Sequence, residues 1–294
     1  MRIGRLRSGA RRTVSLAMLA LLAGAAPAMA QGFTSNFVNP YESEGGYAKS
    51  LDFGDLYQAT AIVTGTDMRQ RPWGLAQCLR EVLVKVSGEP KLAADPRVAE
   101  LAEHPEPLLV AFDYRDMMAG QRPKDDQGTA DRPHALTARF EPAKIDKLLT
   151  DMGERIWRAE RPTIVPVVQV RTISGRTYFL SIDNPDAADQ RTSFRDRARE
   201  YGIGARMPSE ADLKEWGVAP GSFPSPSRAA RPDEALVAGT LEFKEAVPGW
   251  VGAWRMRWRG VDYAWSIGGV SYDEAFRDIV RGAVRVASGH GGPS

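Results

Sequence analysis

One short stretch restricts the fold more than any other. Trp250 to Trp265 (WVGAWRMRWRGVDYAW) holds four of the chain's seven tryptophans, interleaved with Arg255, Arg257 and Arg259. Aromatics alternating with arginine suit a platform on which a glycan or single strand stacks, and equally suit one wall of a core. A trial register separates the two readings. If Arg259-Gly260 is a two-residue hairpin turn, with glycine supplying positive φ, Trp258 faces Val261, Met256 faces Tyr263, Trp254 faces Trp265 and Gly252 faces Ile267. The large apolar groups then share one face. Val251, Ala253, Arg255 and Arg257 take the other, with Arg257 opposite Asp262 and Arg255 opposite Ala264. A slip of one residue would scatter both sets, so the pattern favours a hairpin packed under the helix expected over Ser271 to Val286. Truncating Trp254 or Trp265 to alanine is expected to cost roughly 3–5 kcal/mol, and replacing Arg255 little.

The rest of the chain alternates between the two periodicities. Leu56 to Thr64 reads as a strand, and Pro72 to Val86 as a helix whose Leu75, Leu79, Val82, Leu83 and Val86 form a buried stripe ended by Ser87-Gly88. A short helix from Asp95-Pro96 to Leu101 follows, then strands at Leu108 to Tyr114 and His134 to Phe140 around a polar loop, then a helix opened by Glu141-Pro142 and ended by Gly153. Ile156-Trp157 suggests a further short strand. Arg161-Pro162 reads as a hinge. Thr163 to Val170 is a strand apolar on both faces, and Pro166 places it at an edge or a bulge. A strand at Thr177 to Ile182 follows. A polar helix then runs to Tyr201 with Phe194 and Ala198 inward, and a short strand end and helix occupy Met207 to Trp216. Residues 218–233, rich in Pro and Ser, read as an exposed loop before strands at Ala235 to Phe243, Trp250 to Trp258 and Val261 to Ile267.

The fold class is therefore α+β: two consecutive α/β sandwich-like units, each a mixed or antiparallel sheet with helices packed on it. The expected divisions are a signal peptide (1–30), a flexible arm (31–54), a first domain (55–160), a second domain (161–287) and a flexible tail (288–294).

The leader assignment rests on Arg2, Arg5, Arg7, Arg11 and Arg12 before an apolar run from Val14 to Ala26, closed by Ala28-Met29-Ala30. That run is short of the roughly twenty residues a permanent span needs, so cleavage before Gln31 is expected, with no membrane span thereafter. Arg11-Arg12 also partly matches a twin-arginine signal, although general export fits better. The leader carries five basic residues and no acid. Without it, 39 Lys+Arg fall to 34 against 37 Asp+Glu, a formal charge of −3. A mildly acidic exported chain is a poor nucleic-acid binder. With Cys78 the only cysteine, no internal disulfide forms and the fold rests on its cores.

The helix text Leu75 to Gly88 (LAQCLREVLVKVSG), with Leu56-Tyr57 before it and Asp95-Pro96 after it, resembles the secreted proteobacterial family grouped as domain of unknown function number two thousand and sixty-six. Phe140 with Ala143 to Met152, the Arg161-Pro162-Thr163 junction, Ala235 to Leu241 and the tryptophan hairpin extend the likeness over most of 55–287. Pro166 to Val170, where the family often carries a Trp, and residues 183–233 depart from it. The second half is also similar to α/β modules of envelope lipoproteins that activate cell-wall synthases, and to the amino-terminal domain of the periplasmic Tol-system protein. These likenesses imply a fold and a compartment; folds do not carry functions with them.

No G-x-S-x-G, H-E-x-x-H or P-loop is present, and His104, His134 and His290 are not spaced as zinc ligands. Cys78 sits beside the apolar stripe and reads as a structural thiol, while Asp125, Asp126 and Asp131 lack the spacing of a calcium loop. No cofactor is implied. Arg191, Arg195 and Arg199, with Arg206 soon after, are candidates for an anion or partner contact, against the plainer reading of a solvated helix face beside Asp189, Asp196 and Glu200. The predicted structural core comprises Leu75, Leu79, Val82, Val86, Trp254, Met256, Trp258, Tyr263 and Trp265. The expected function is a non-enzymatic periplasmic accessory or adaptor protein that binds another envelope protein. The alternatives are a glycan or peptidoglycan binder using exposed tryptophans, and a hydrolase whose residues converge only in three dimensions.

Overall fold

A computed structural model describes residues 56–120, 132–158, 161–219, 231 and 233–293. The leader, the arm, the three-aspartate loop and most of the Pro/Ser-rich segment lie outside them. The described residues belong to one compact unit. It is α+β, with two sheets that follow one another in the sequence.

The first sheet is antiparallel, in the order β1 (Gln58–Thr64), β3 (Pro133–Phe140), β2 (Leu109–Asp116). Its covering helix α1 (Arg71–Ser87) buries Leu75, Leu79, Val82, Leu83 and Val86 against Ala59, Ala61, Leu136, Ala138 and Phe140. Alanines on the strands let the helix's leucines seat closely, and α2 (Pro96–Leu101) and α3 (Pro142–Asp151) close the core with Val98, Ile145 and Leu149. Cys78 is buried among them, its Sγ 3.7 Å from the Leu136 carbonyl, and burial pushes its thiol up to about 12.

The second sheet is mixed. Its main order is β5 (Thr177–Phe179), β4 (Thr163–Arg171), β7 (Glu234–Lys244), β8 (Gly249–Trp258), β9 (Val261–Val270), and the two-residue β6 (Gly204–Ala205) also pairs with β4. β4 runs parallel to β7 and β6, and the other pairs are antiparallel. The main core lies between this sheet and helices α4 (Ala188–Glu200) and α6 (Tyr272–Ser288), around Phe194, Phe276, Ile279 and Trp254. On the opposite face, α5 (Glu210–Glu215) covers Val167, Leu236 and Ala238 with Leu213.

Several expectations need correction. β4 is neither an edge nor bulged: its register with β7 is continuous from Thr163 to Arg171. The carbonyls of Ile164 and Val168 accept from Arg206 and Leu180 on the far side, so Pro166 turns its nitrogen that way too. β6 covers only one end of β4 and β5 the other, and the missing N–H falls in the gap between them. Residues 154–158 form no strand; Trp157 instead donates its N–H to Val86 O at 2.8 Å. From Ser288 onward, where a flexible tail is expected, His290 N donates to Arg285 O at 2.9 Å and Arg285 Nη2 returns a 2.8 Å bond to His290 O.

The hairpin has Trp254 opposite Trp265, Met256 opposite Tyr263 and Arg257 opposite Asp262. Both turn residues are left-handed, Arg259 at φ 49° and Gly260 at φ 80°. Trp254 and Met256 are buried, whereas Trp258, Tyr263 and Trp265 are only partly so. The Trp254 indole lies over two glycines. A Cβ on Gly252 would come within 2.1 Å of the ring, and one on Gly239 within 2.6 Å. Its Nε1 donates to Asp278 Oδ2 at 3.1 Å, which satisfies the one polar atom of a 1% exposed side chain.

Candidate functional site

The positioning device is the seam where the two sheets' cores meet. A helix leaves its last four carbonyls without partners, and at the end of α1 its own cap residue and residues much farther along the chain supply three of them. Gly88, at φ 73°, donates to Val84 O at 2.8 Å; Arg161 donates to Lys85 O; Trp157 N donates to Val86 O. Ser288 Oγ then reaches Gly88 O at 2.8 Å, and a Cβ on Gly88 would collide with Ser288 Cβ at 2.5 Å and the Trp157 ring at 2.6 Å.

Arg161 itself spans the seam. Its guanidinium also donates to Gly202 O at 2.9 Å and stacks 4.1 Å above Trp157. Burial pulls it down to about 10, still charged at neutral pH, at the helix end where a cation is favoured. The Arg161-Pro162 junction thus carries a fastening rather than a free hinge. Lys85 ties α1 to Gln58 O at 2.9 Å and pairs with Glu81 one turn back in the same helix at 2.6 Å, and Arg285 meets Glu89 at 3.2 Å. Tyr201 packs against both cores, and burial pushes its hydroxyl up to about 12.

Two concavities flank this seam. The first, about 500 Å³, runs between β1 with α1 on one side and α4 with α6 on the other, lined by Ile62, Trp73, Arg80, Glu81, Arg197 and Tyr201 among others. Trp73 is 52% exposed and Ile62 49%. β1 is an edge of its sheet, and Lys85 occupies only the Gln58 carbonyl on its outer side. The second, about 400 Å³, has Trp157, Trp258 and Tyr263 as aromatic walls and Arg155, Arg158 and Arg259 as cations. Arg155 Nη2 donates to Ser288 O at 3.1 Å, and Arg158 bonds Asp146 and the Tyr57 hydroxyl, the latter at 3.2 Å. A third hollow of about 620 Å³ lies apart from the seam, beneath α5, with Tyr178 and Lys214 in its wall.

The arginines singled out from the sequence are not gathered into one free stripe. Arg191 donates to Ser181 O at 3.2 Å and to Asn184 O; Arg199 pairs with Asp196 at 2.9 Å; Arg195 is also partnered. Arg206 is a structural tie, holding Glu234 at 2.6 and 3.0 Å and Asp212 at 3.0 Å; against the opposing effect of burial, Arg206 keeps Glu234 below its usual range, and hydrogen bonds from Ser209, with Arg206 behind them, do the same for Asp212.

Among the described residues the nearest approach to a hydrolase constellation is Ser288, His290 and Glu154. Ser288 Oγ lies 2.8 Å from His290 Nδ1, and His290 Nε2 lies 3.7 Å from Glu154. The same Oγ contacts Gly88 O and Arg285 O, two acceptors, and sits tight against Gly88. That site has carbonyls where an oxyanion would need N–H donors, so the trio serves as a clasp. Among the described residues no group of three or more His, Cys, Asp or Glu is placed to hold a metal, and no helix is long and apolar enough to cross a membrane.

Sequence reasoning passed over Trp73, which stands a little over half a turn from Leu75 and so off the apolar stripe. That offset was the available signal. Trp157 carried none, because only the folded seam brings it beside Trp258.

Residues 51–158 match a family described as a domain of unknown function (DUF8605). No curated protein and no solved structure matches the chain. The likeness to a domain of unknown function is thus met at that coarse level, by a family of another number and over the first sheet and its helices.

Proposed function

We propose that the protein is a non-enzymatic accessory protein of the cell envelope, exported by its leader to the periplasm, that works by binding another envelope protein. The observation that carries this reading is the groove beside β1, where Trp73 and Ile62 stand largely exposed along an open strand edge. An exposed tryptophan beside backbone donors and acceptors that have no partner among the described residues suits an extended segment of a partner, whose main chain would add to β1 while its side chains meet Trp73 and Arg80. The leader read from the sequence, Arg2 to Ala30, is what suggests the compartment. A photo-crosslinking residue at Gln77, inside the groove, is expected to capture one envelope protein in living cells, and Trp73→Ala to abolish capture without lowering the melting temperature. Capture that persists in Trp73→Ala and Ile62→Asp would sink the reading.

A second reading, a glycan binder, has its own support in the aromatic and arginine-lined pocket around Trp258. Purified protein that sediments with isolated cell wall, and loses this in Trp258→Ala, would favour it.

A further inference from the structure

The outer edge of β9 is the longest unpaired strand edge in the second sheet, and among the described residues nothing pairs with it. Such an edge is usually blunted by lysine, proline or an inward charge. β9 carries no lysine and no proline, and its one charge, Asp262, is held by Arg257 through two 2.6 Å bonds. Its apolar row of Tyr263, Trp265 and Ile267 is only partly covered.

We infer that β9 joins two copies of this chain, edge to edge and antiparallel, about a twofold axis at Trp265. The register supplies the argument. Trp258 and Val261 flank a two-residue turn and exchange both backbone bonds, as does every second pair along the hairpin, so Tyr263, Trp265 and Ile267 direct theirs to β8. The outward groups are those of Asp262, Ala264, Ser266 and Gly268. Antiparallel pairing centred on Trp265 sets Ala264 opposite Ser266 of the second copy and Asp262 opposite its Gly268, so every outward group meets an outward group. Small side chains meet on the open face, no like charges oppose, and Tyr263 meets Ile267 of the second copy beside paired Trp265 indoles. An isologous contact requires this self-complementarity, whereas a foreign strand does not. The inference is independent of the groove beside β1.

Sedimentation equilibrium of the purified protein is expected to show a mass twice that of the chain. Ser266→Pro removes only an outward N–H, and should weaken the dimer at least tenfold while leaving the far-ultraviolet circular dichroism unchanged. Should that variant fail to fold, the double variant Ala264→Cys, Ser266→Cys decides: mild oxidation should link the thiol introduced at position 264 of one copy to that at position 266 of the other, since the one native thiol, Cys78, is buried. A monomer at tens of micromolar, a dimer indifferent to Ser266→Pro, or no crosslink would each overturn the proposal.

Discussion

Strands β8 and β9 face each other in one register and carry the same alternation, yet their tryptophans live differently. Trp254, on the inner strand, is packed against β7 and α6 with its indole bonded to Asp278. Trp265, directly opposite on the edge strand, is partly exposed, and its Nε1 is buried without a hydrogen-bond partner among the described residues. A period of two assigns a side chain to a face; its depth depends on how many strands flank it. Equal costs for the two truncations, as the sequence pattern suggests, are therefore not what the fold predicts.

The largest expected effect is at the inner strand. Trp254→Ala should cost roughly 3–5 kcal/mol, through lost burial and through loss of the indole's bond to Asp278, which keeps Arg281 at 2.6 Å. Trp265→Ala should cost about 1–2 kcal/mol, as for a side chain that keeps part of its surface in water. Urea denaturation of both variants in monomer-forming conditions measures the gap. Equal losses would mean that depth in this sheet is set by the pattern alone.

This contrast marks how far the sequence could be read. The hairpin register, the stripe of α1 and the span of α6 were legible, because each follows from one local periodicity and one boundary signal: Arg259-Gly260, Gly88, Ser271. What was not legible depends on distant partners. Arg206 looked like an addition to the arginine series of the helix before it until Glu234, far along the chain, came beside it. Pro166 looked like an edge marker because the gap between β5 and β6 exists only once both have paired with β4. The seam carried no motif: a lone arginine, a serine and a glycine acquire their roles only when α1 and α6 end at the same place.

The edge strand's cover offers a test by acidification. A Cβ on Gly282 would meet Trp265 Cε2 at 2.8 Å and Pro293 Cβ at 2.9 Å, so the chain end and the edge-strand indole pack over the same point of α6. His290 anchors that end against Ser288, and burial, opposed by Glu89 and Glu154, lowers its imidazole below the usual range. A group depressed in this way is neutral in the fold and takes up its proton sooner when unfolded. Stability is then complete above about pH 6.5, the ordinary histidine value, and falls as pH drops through it. Glu200, raised by burial, acts in the opposite sense nearer its own range, so the informative quantity is the difference from His290→Gln. The wild type should lose more melting temperature than that variant between pH 7.5 and 5.5. Parallel curves would separate the chain end from the stability of the edge.

The smallest expected effect is at the turn that sets both strands. Arg259 is the one described non-glycine residue with positive φ, and a side chain with a Cβ there costs roughly 1 kcal/mol relative to glycine. A turn of this hand wants Asn or Gly first and Gly second, and Gly260 already supplies the second. Arg259→Asn should therefore stabilise by about 0.5 kcal/mol, and Arg259→Gly by somewhat less than the strain relieved, because glycine also gains freedom in the unfolded chain. Arg259 also stacks 6.0 Å from the Trp258 ring, a contact worth about 0.5 kcal/mol at an exposed site, and the gain of Arg259→Asn is what remains of the roughly 1 kcal/mol of strain once that contact is lost. A small gain in Arg259→Asn, with Trp254→Ala and Trp265→Ala unchanged in their relative cost on that background, would show that the turn fixes register while flanking strands fix depth. A loss of stability would assign Arg259 a binding interaction inside the folded chain that outweighs its backbone strain.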